Sequence, residues 1–121
     1  MGEHSQKHDL SEILKAVSDV TRRSILTLLV QEGPMRVTEL AGRYDMSLNA
    51  ISKHIKVLEA AGLVDRRTLG RVHLIEARLE PVQAVDVWFQ ELRSIWELRL
   101  DRLGEVLNDG ENGDERPVTD D

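Results

Sequence analysis

The residues best suited to chemistry lie between Met46 and Glu76, in the run MSLNAISKHIKVLEAAGLVDRRTLGRVHLIE. Leu48, Ile51, Ile55 and Leu58 recur at helical steps and share one narrow face. The opposite side carries Asn49, Ser52, Lys53 and Lys56, all small polar or basic groups. Arg66, Arg67 and Arg71 follow on two strand-like runs around Leu69-Gly70, where glycine suits a tight turn. Amide and ammonium groups early on an exposed helix face can reach base edges, while hydroxyls and further cations suit phosphate oxygens. On this pattern Ser47, Asn49, Ala50, Ser52, Lys53, His54 and Lys56 are candidate contacts to double-stranded DNA. Arg67 and Arg71 are candidates on the hairpin, reaching a flanking minor groove or its phosphates. Both segments have a plainer reading: an amphipathic helix with a solvated face, and a charged hairpin edge that discourages strand pairing.

Those groups need a scaffold, and the surrounding sequence supplies one. Asp9 or Ser11 caps a first helix running to about Val17, with Leu10, Ile13, Leu14 and Val17 on one side. Asp19 or Thr21 caps a second helix to about Gln31, ended by Gly33-Pro34. Arg22 and Arg23 open that helix, and bonding within the fold is weighed there against a DNA backbone contact. A third, short helix spans about 38–43. Asp45-Met46 turns the chain, and Ser47 caps the fourth helix, which stops at Gly62. Residues 63–68 and 71–76 form the hairpin.

From Glu80 to Leu107 a long helix is expected, with Pro81 in its first turn. Val82, Val85, Phe89, Leu92, Trp96, Leu100, Leu103 and Leu107 make a continuous stripe along it. About 28 residues span roughly 40 Å. A small four-helix core cannot cover so long a stripe, so a second copy of the chain is expected to. The expected dimer contacts are Leu10, Leu14, Val85, Phe89, Leu92, Trp96, Leu100 and Leu103. Trp88, Phe89 and Trp96 could instead line a small-molecule pocket. Helix order and hairpin together describe a mainly α fold with a small β-hairpin, a winged helix-turn-helix of order ααααββα.

The 121 residues suffice for one modest core. A net charge of −6 taken as a whole opposes DNA binding, but it is unevenly spread. The tail DGENGDERPVTDD holds six acids and one arginine, leaving residues 1–108 at −1. Local sign matters more than the total, because salt screens charges beyond roughly 8–10 Å. Residues 1–8 are expected to be a flexible leader, 9–108 the DNA-binding and dimerisation domain, and 109–121 a disordered acidic tail.

The chain has no cysteine, which excludes disulfides, thiol redox sensing and thiolate metal sites. No apolar run approaches the roughly 18 residues of a membrane span, and MGEHSQKHDL lacks the apolar core of a signal peptide. These features fit a cytoplasmic protein without a membrane partner. Neither a glycine-rich phosphate loop nor a nucleophile–base pattern points to an enzyme. His4 and His8 are four apart in the polar leader without an evident third ligand, so neither metal nor cofactor is expected.

The segments AVSDVTRRSILTLL (16–29), VTELA (37–41) and SLNAISKHIKVLEAAGLV (47–64), followed by the hairpin, resemble the ArsR/SmtB family of bacterial repressors. The resemblance covers roughly residues 9–107. It implies a homodimer joined through terminal helices and binding imperfect palindromes in promoters; many such proteins repress and are released by an effector. The family's metal motifs do not carry over. Thr38-Glu39-Leu40-Ala41-Gly42 lacks a thiolate, Asp86 is followed by Val87 and Trp88, and Arg99 and Arg102 stand where ligands would be needed. The residues therefore specify no effector. A rival function is a winged-helix protein-interaction module that does not read DNA directly. Lys53, Lys56 and Arg71 discriminate between the two, because joint involvement of all three implies a polyanionic partner.

Overall fold

The computed structural model describes residues 9–111, with side chains as far as Leu107. Expectations for the leader 1–8 and for the tail from residue 112 lie outside the described residues. The chain divides after Asp86 into two compact units.

The first unit is built on short, individually capped helices. Helix α1 (Leu10–Ala16) is capped by Asp9, whose carboxylate accepts from Ser11 N–H at 2.9 Å. Asp19 caps α2 (Val20–Glu32), accepting from Arg22 N–H at 3.0 Å. Helix α3 (Val37–Arg43) leads through Tyr44 to Asp45, whose φ of 55° turns the chain before α4 (Leu48–Ala60). Aspartate tolerates that left-handed conformation better than most residues. Ser47 caps α4, accepting from Ala50 N–H at 3.1 Å.

Helix α4 ends in a Schellman motif. Leu63 N–H bonds to Leu58 O and Gly62 N–H to Glu59 O, both at 2.9 Å. Gly62 has φ 78°, a conformation that glycine adopts without strain. Leu58 and Leu63, which flank the motif, are fully buried. The chain is thus turned directly into β2 (Val64–Leu69) and back along β3 (Val72–Ala77).

The sheet contains a strand that the sequence pattern did not reveal. Met35 and Arg36 form β1 and pair antiparallel with Ile75 and Leu74, giving the order β1-β3-β2. The helix order and the wing are as expected, but the wing is three-stranded. Its tip also differs by one residue from the expected Leu69-Gly70. Leu69 pairs with Val72, so the two-residue loop is Gly70-Arg71. Gly70 has φ 64° and Arg71 is not left-handed, the pattern of a type II′ turn.

The core comprises Ile13, Ile25, Leu29, Leu40, Ile51, Ile55, Leu58, Leu63, Val64 and Ile75, with smaller partners. No polar or charged side chain is buried among the described residues. One sequence expectation fails here. Leu48 shares the azimuth of Ile51, Ile55 and Leu58, yet those three are 0% exposed and Leu48 is 51% exposed. Helical periodicity sets the direction a residue points, not whether a neighbour reaches that end of the helix.

Helix α5 (Val82–Glu111) begins one residue after Pro81, which is buried. Asp109 to Glu111 are helical, so the helix outlasts the expected tail boundary. Its first residues belong to the first unit, where Val82, Ala84 and Val85 pack partly buried against the core. Val85 was expected at a dimer seam, but its own domain already covers part of it. Leu10 and Leu14 are half-buried on α1. In the second unit Phe89, Leu92, Trp96, Leu100 and Leu103 are 44–61% exposed. Trp88 and Phe89 lie with ring centroids 5.0 Å apart, tilted by 49°. No described helix is long and apolar enough to cross a membrane.

Candidate nucleic-acid interface

The candidate site lies in the first unit and consists of the outer face of α4, the tip of the wing and a cleft between them. Burial of Ile51, Ile55 and Leu58 turns Asn49, Lys53 and Lys56 outward, and all three are exposed. Ala50, Ser52 and His54 are half-buried at the margins of that face. Ser47 is exposed, but its hydroxyl oxygen is engaged at the helix cap.

The basic groups fall into two sets. Arg66 forms a two-pronged pair with Glu59 of α4, Nε at 3.1 Å and Nη2 at 3.2 Å, which ties the wing to the helix. Arg67 alternates to the other face of the hairpin and pairs with Glu76 at 2.7 Å. Lys53, Lys56 and Arg71 have no carboxylate partner among the described residues. The sequence reading grouped Arg67 with Arg71. The pleat separates them, because Arg67 sits within the ladder opposite Leu74 while Arg71 is in the turn itself.

His54 and Arg22 belong to a small cluster behind the helix. The Arg22 guanidinium donates to Ala16 O (2.8 Å), to Lys15 O (3.2 Å) and to His54 Nδ1 (3.3 Å). Arg23 Nη1 donates to Val17 O at 2.6 Å. Both arginines therefore satisfy carbonyls at the end of α1, where a cation also complements the helix dipole. His54 Nδ1 lies 4.0 Å from the Asp19 carboxylate. The Arg22 backbone N–H is the main cause holding the Asp19 carboxyl below its ordinary pKa. Partial desolvation opposes this, and the charges of Arg22 and His54 assist it. His54 thus faces its own fold more than the exposed face to which the sequence assigned it.

Between α4 and the wing runs a cleft of about 320 Å³. Its walls include Leu48 and Ser52 from α4, Arg66, Arg71 and His73 from the wing, and Arg36 from β1. No carboxylate lines it. A cleft with basic walls and no acid raises the local concentration of anions. Two of these residues, Arg36 and Leu48, were missed by sequence reasoning. Arg36 carried no signal, since its position depends on a two-residue strand paired with a segment 38 residues further on. Leu48 was assigned to the core by its period. Among the described residues no group of three or more His, Asp or Glu is placed to hold a metal ion.

Helix α3, the Asp45 turn, α4 and the attached three-stranded wing define a winged helix-turn-helix. Residues 17–67 match a family model described as a helix-turn-helix domain. The solved structure of an ArsR family transcriptional regulator, RHA00566, is 40% identical, covers 73% of this chain and 90% of its own, and superposes with a TM-score of 0.68. The transcriptional repressor SdpR of Bacillus subtilis is 34% identical over 62 residues, 51% of this chain and 68% of the repressor. A homodimeric winged helix-turn-helix DNA-binding domain from Mycobacterium bovis, Mb0332, is 27% identical with a TM-score of 0.57, covering 70% of this chain and 78% of that one. The chain belongs to the ArsR family of winged helix-turn-helix transcriptional regulators.

Proposed function

We propose that the protein is a homodimeric repressor that binds an imperfect palindrome in a promoter and blocks transcription by occupying it. Each protomer lays the exposed face of α4 in the major groove of one half-site. Asn49 and Lys53 reach base edges from the first turns, and Lys56 and Ser52 hold phosphates. Arg71, at the tip of the wing, grips the flanking backbone or minor groove. The observation that carries this reading is the division of the cations. Lys53, Lys56 and Arg71 are exposed and have no carboxylate partner among the described residues, while Arg66 and Arg67 are neutralised by Glu59 and Glu76.

Dimerisation is supported by the exposed stripe on α5, where Trp96 is 61% and Leu100 48% accessible. A second copy is the occupant that twofold symmetry supplies most directly. The named states of Mb0332 as a homodimer and SdpR as a repressor agree with this assignment. A regulator working on promoter DNA acts in the cytoplasm, without catalysis.

Selection from a random duplex library tests the proposal. The expected product is an inverted repeat with half-site centres about 34–36 Å apart, one helical turn, or a multiple of that. Failure to enrich any inverted repeat would favour the protein-interaction module instead.

A further inference from the structure

Leu48 is the first residue of α4 and is 51% exposed, although helical periodicity sets it in line with the buried face. It stands one helical turn from Ser52, and both line the cleft between α4 and the wing. Around it are Arg36, Arg66, Arg71 and His73. Arg66 is already paired with Glu59, but Arg36 and Arg71 leave the exposed leucine beside cations with no carboxylate partner among the described residues, in a cleft that no carboxylate lines, which suits a partner that is polyanionic outside and carries an apolar group at its readable edge.

Duplex DNA has one such group in the major groove, the 5-methyl of thymine. Among base-edge contacts it is the one an aliphatic side chain can make, and the first turn of the helix is where base edges are met. Asn49, the next residue, offers a hydrogen-bonding amide from the same turn. A lipid surface fits less well, because Leu48 is the one strongly exposed aliphatic residue of the cleft, whose other apolar walls, Val37 and Val72, are half-buried, and cations stand beside it.

We infer that Leu48 is a specificity-determining residue that selects thymine at one position of each half-site through contact with its 5-methyl group. The inference rests on the DNA-reading function proposed above and adds a rule about sequence to it. Burying one methyl-sized group corresponds to about fourfold in affinity, so two half-sites carry about fifteenfold.

The experiment uses the full chain and the duplex best enriched by it from a random library. Each thymine in turn is replaced, symmetrically in both half-sites, by deoxyuridine, which pairs identically but lacks the methyl. The wild type is expected to lose about fifteenfold at one position. Leu48→Ala and Leu48→Gln should bind the thymine and deoxyuridine duplexes within about twofold of each other at that position. Circular dichroism of both variants should match the wild type, since Leu48 lies outside the core. If the wild type binds specifically but no deoxyuridine penalty disappears with Leu48, the inference is overturned and the DNA-reading function stands. If the wild type selects no sequence, both are overturned.

Discussion

Neutralising Lys56 and Arg71 together, as Lys56→Ala with Arg71→Ala, should flatten the salt dependence of operator binding by a calculable amount. Each cation that meets a phosphate releases condensed counterions, and log K falls against log salt with a slope of about −0.9 per contact. Both residues are exposed and have no carboxylate partner among the described residues. A dimer presents four such cations, so the variant's slope should be shallower by about 3.6. Between about 50 and 200 mM salt, the wild type should then lose on the order of a hundredfold more affinity than the variant. The matched control is Arg67→Gln with Glu76→Gln, which removes a pair closed at 2.7 Å and leaves net charge unchanged. Its slope should stay within about one of the wild type. Fluorescence anisotropy titrations at four or five salt concentrations measure all three proteins. A Lys56/Arg71 variant with an unchanged slope would refute the division into free and neutralised cations. So would a control that flattens as much, since Arg67 must then leave Glu76 to hold a phosphate.

Three further outcomes are expected. Trp96→Asp with Leu100→Asp should convert the dimer to monomer, because each large apolar side chain buried is worth about 1.5–3 kcal/mol and symmetry doubles the loss; sedimentation that finds the wild type monomeric at tens of micromolar would remove the dimer. Gly62→Ala should destabilise the first unit by about 1–2 kcal/mol, the cost of a left-handed backbone for a residue with a Cβ, read as a lower urea midpoint at unchanged m. Asp19 has a depressed carboxyl pKa in the fold, so its stabilising contribution is complete above the ordinary aspartate range and is lost as pH falls through the folded value. The urea midpoints of the wild type and Asp19→Asn should therefore converge in that acid window, and a gap constant with pH would show that the carboxylate's charge is not the cause.

The helix order, the cap at Ser47, the stop at Gly62 and the outward face of Asn49, Lys53 and Lys56 were all legible in the sequence. They depend on interactions within a few residues, and local spacing records those. The long α5 was legible for the same reason, apart from its last turn. Tertiary structure alone decided the pairing of Met35 and Arg36 with β3, because a two-residue strand has no period of its own and exists only where a partner edge is available. It also decided which arginines remain free. Arg67 and Arg71 look alike in a one-dimensional reading, yet the cross-strand register gives Glu76 to one and leaves the other at the turn. Leu48 shows the same limit. Its period assigned it to the core, but burial depends on what packs beside the first turn of α4, and there the fold leaves a cleft open to solvent.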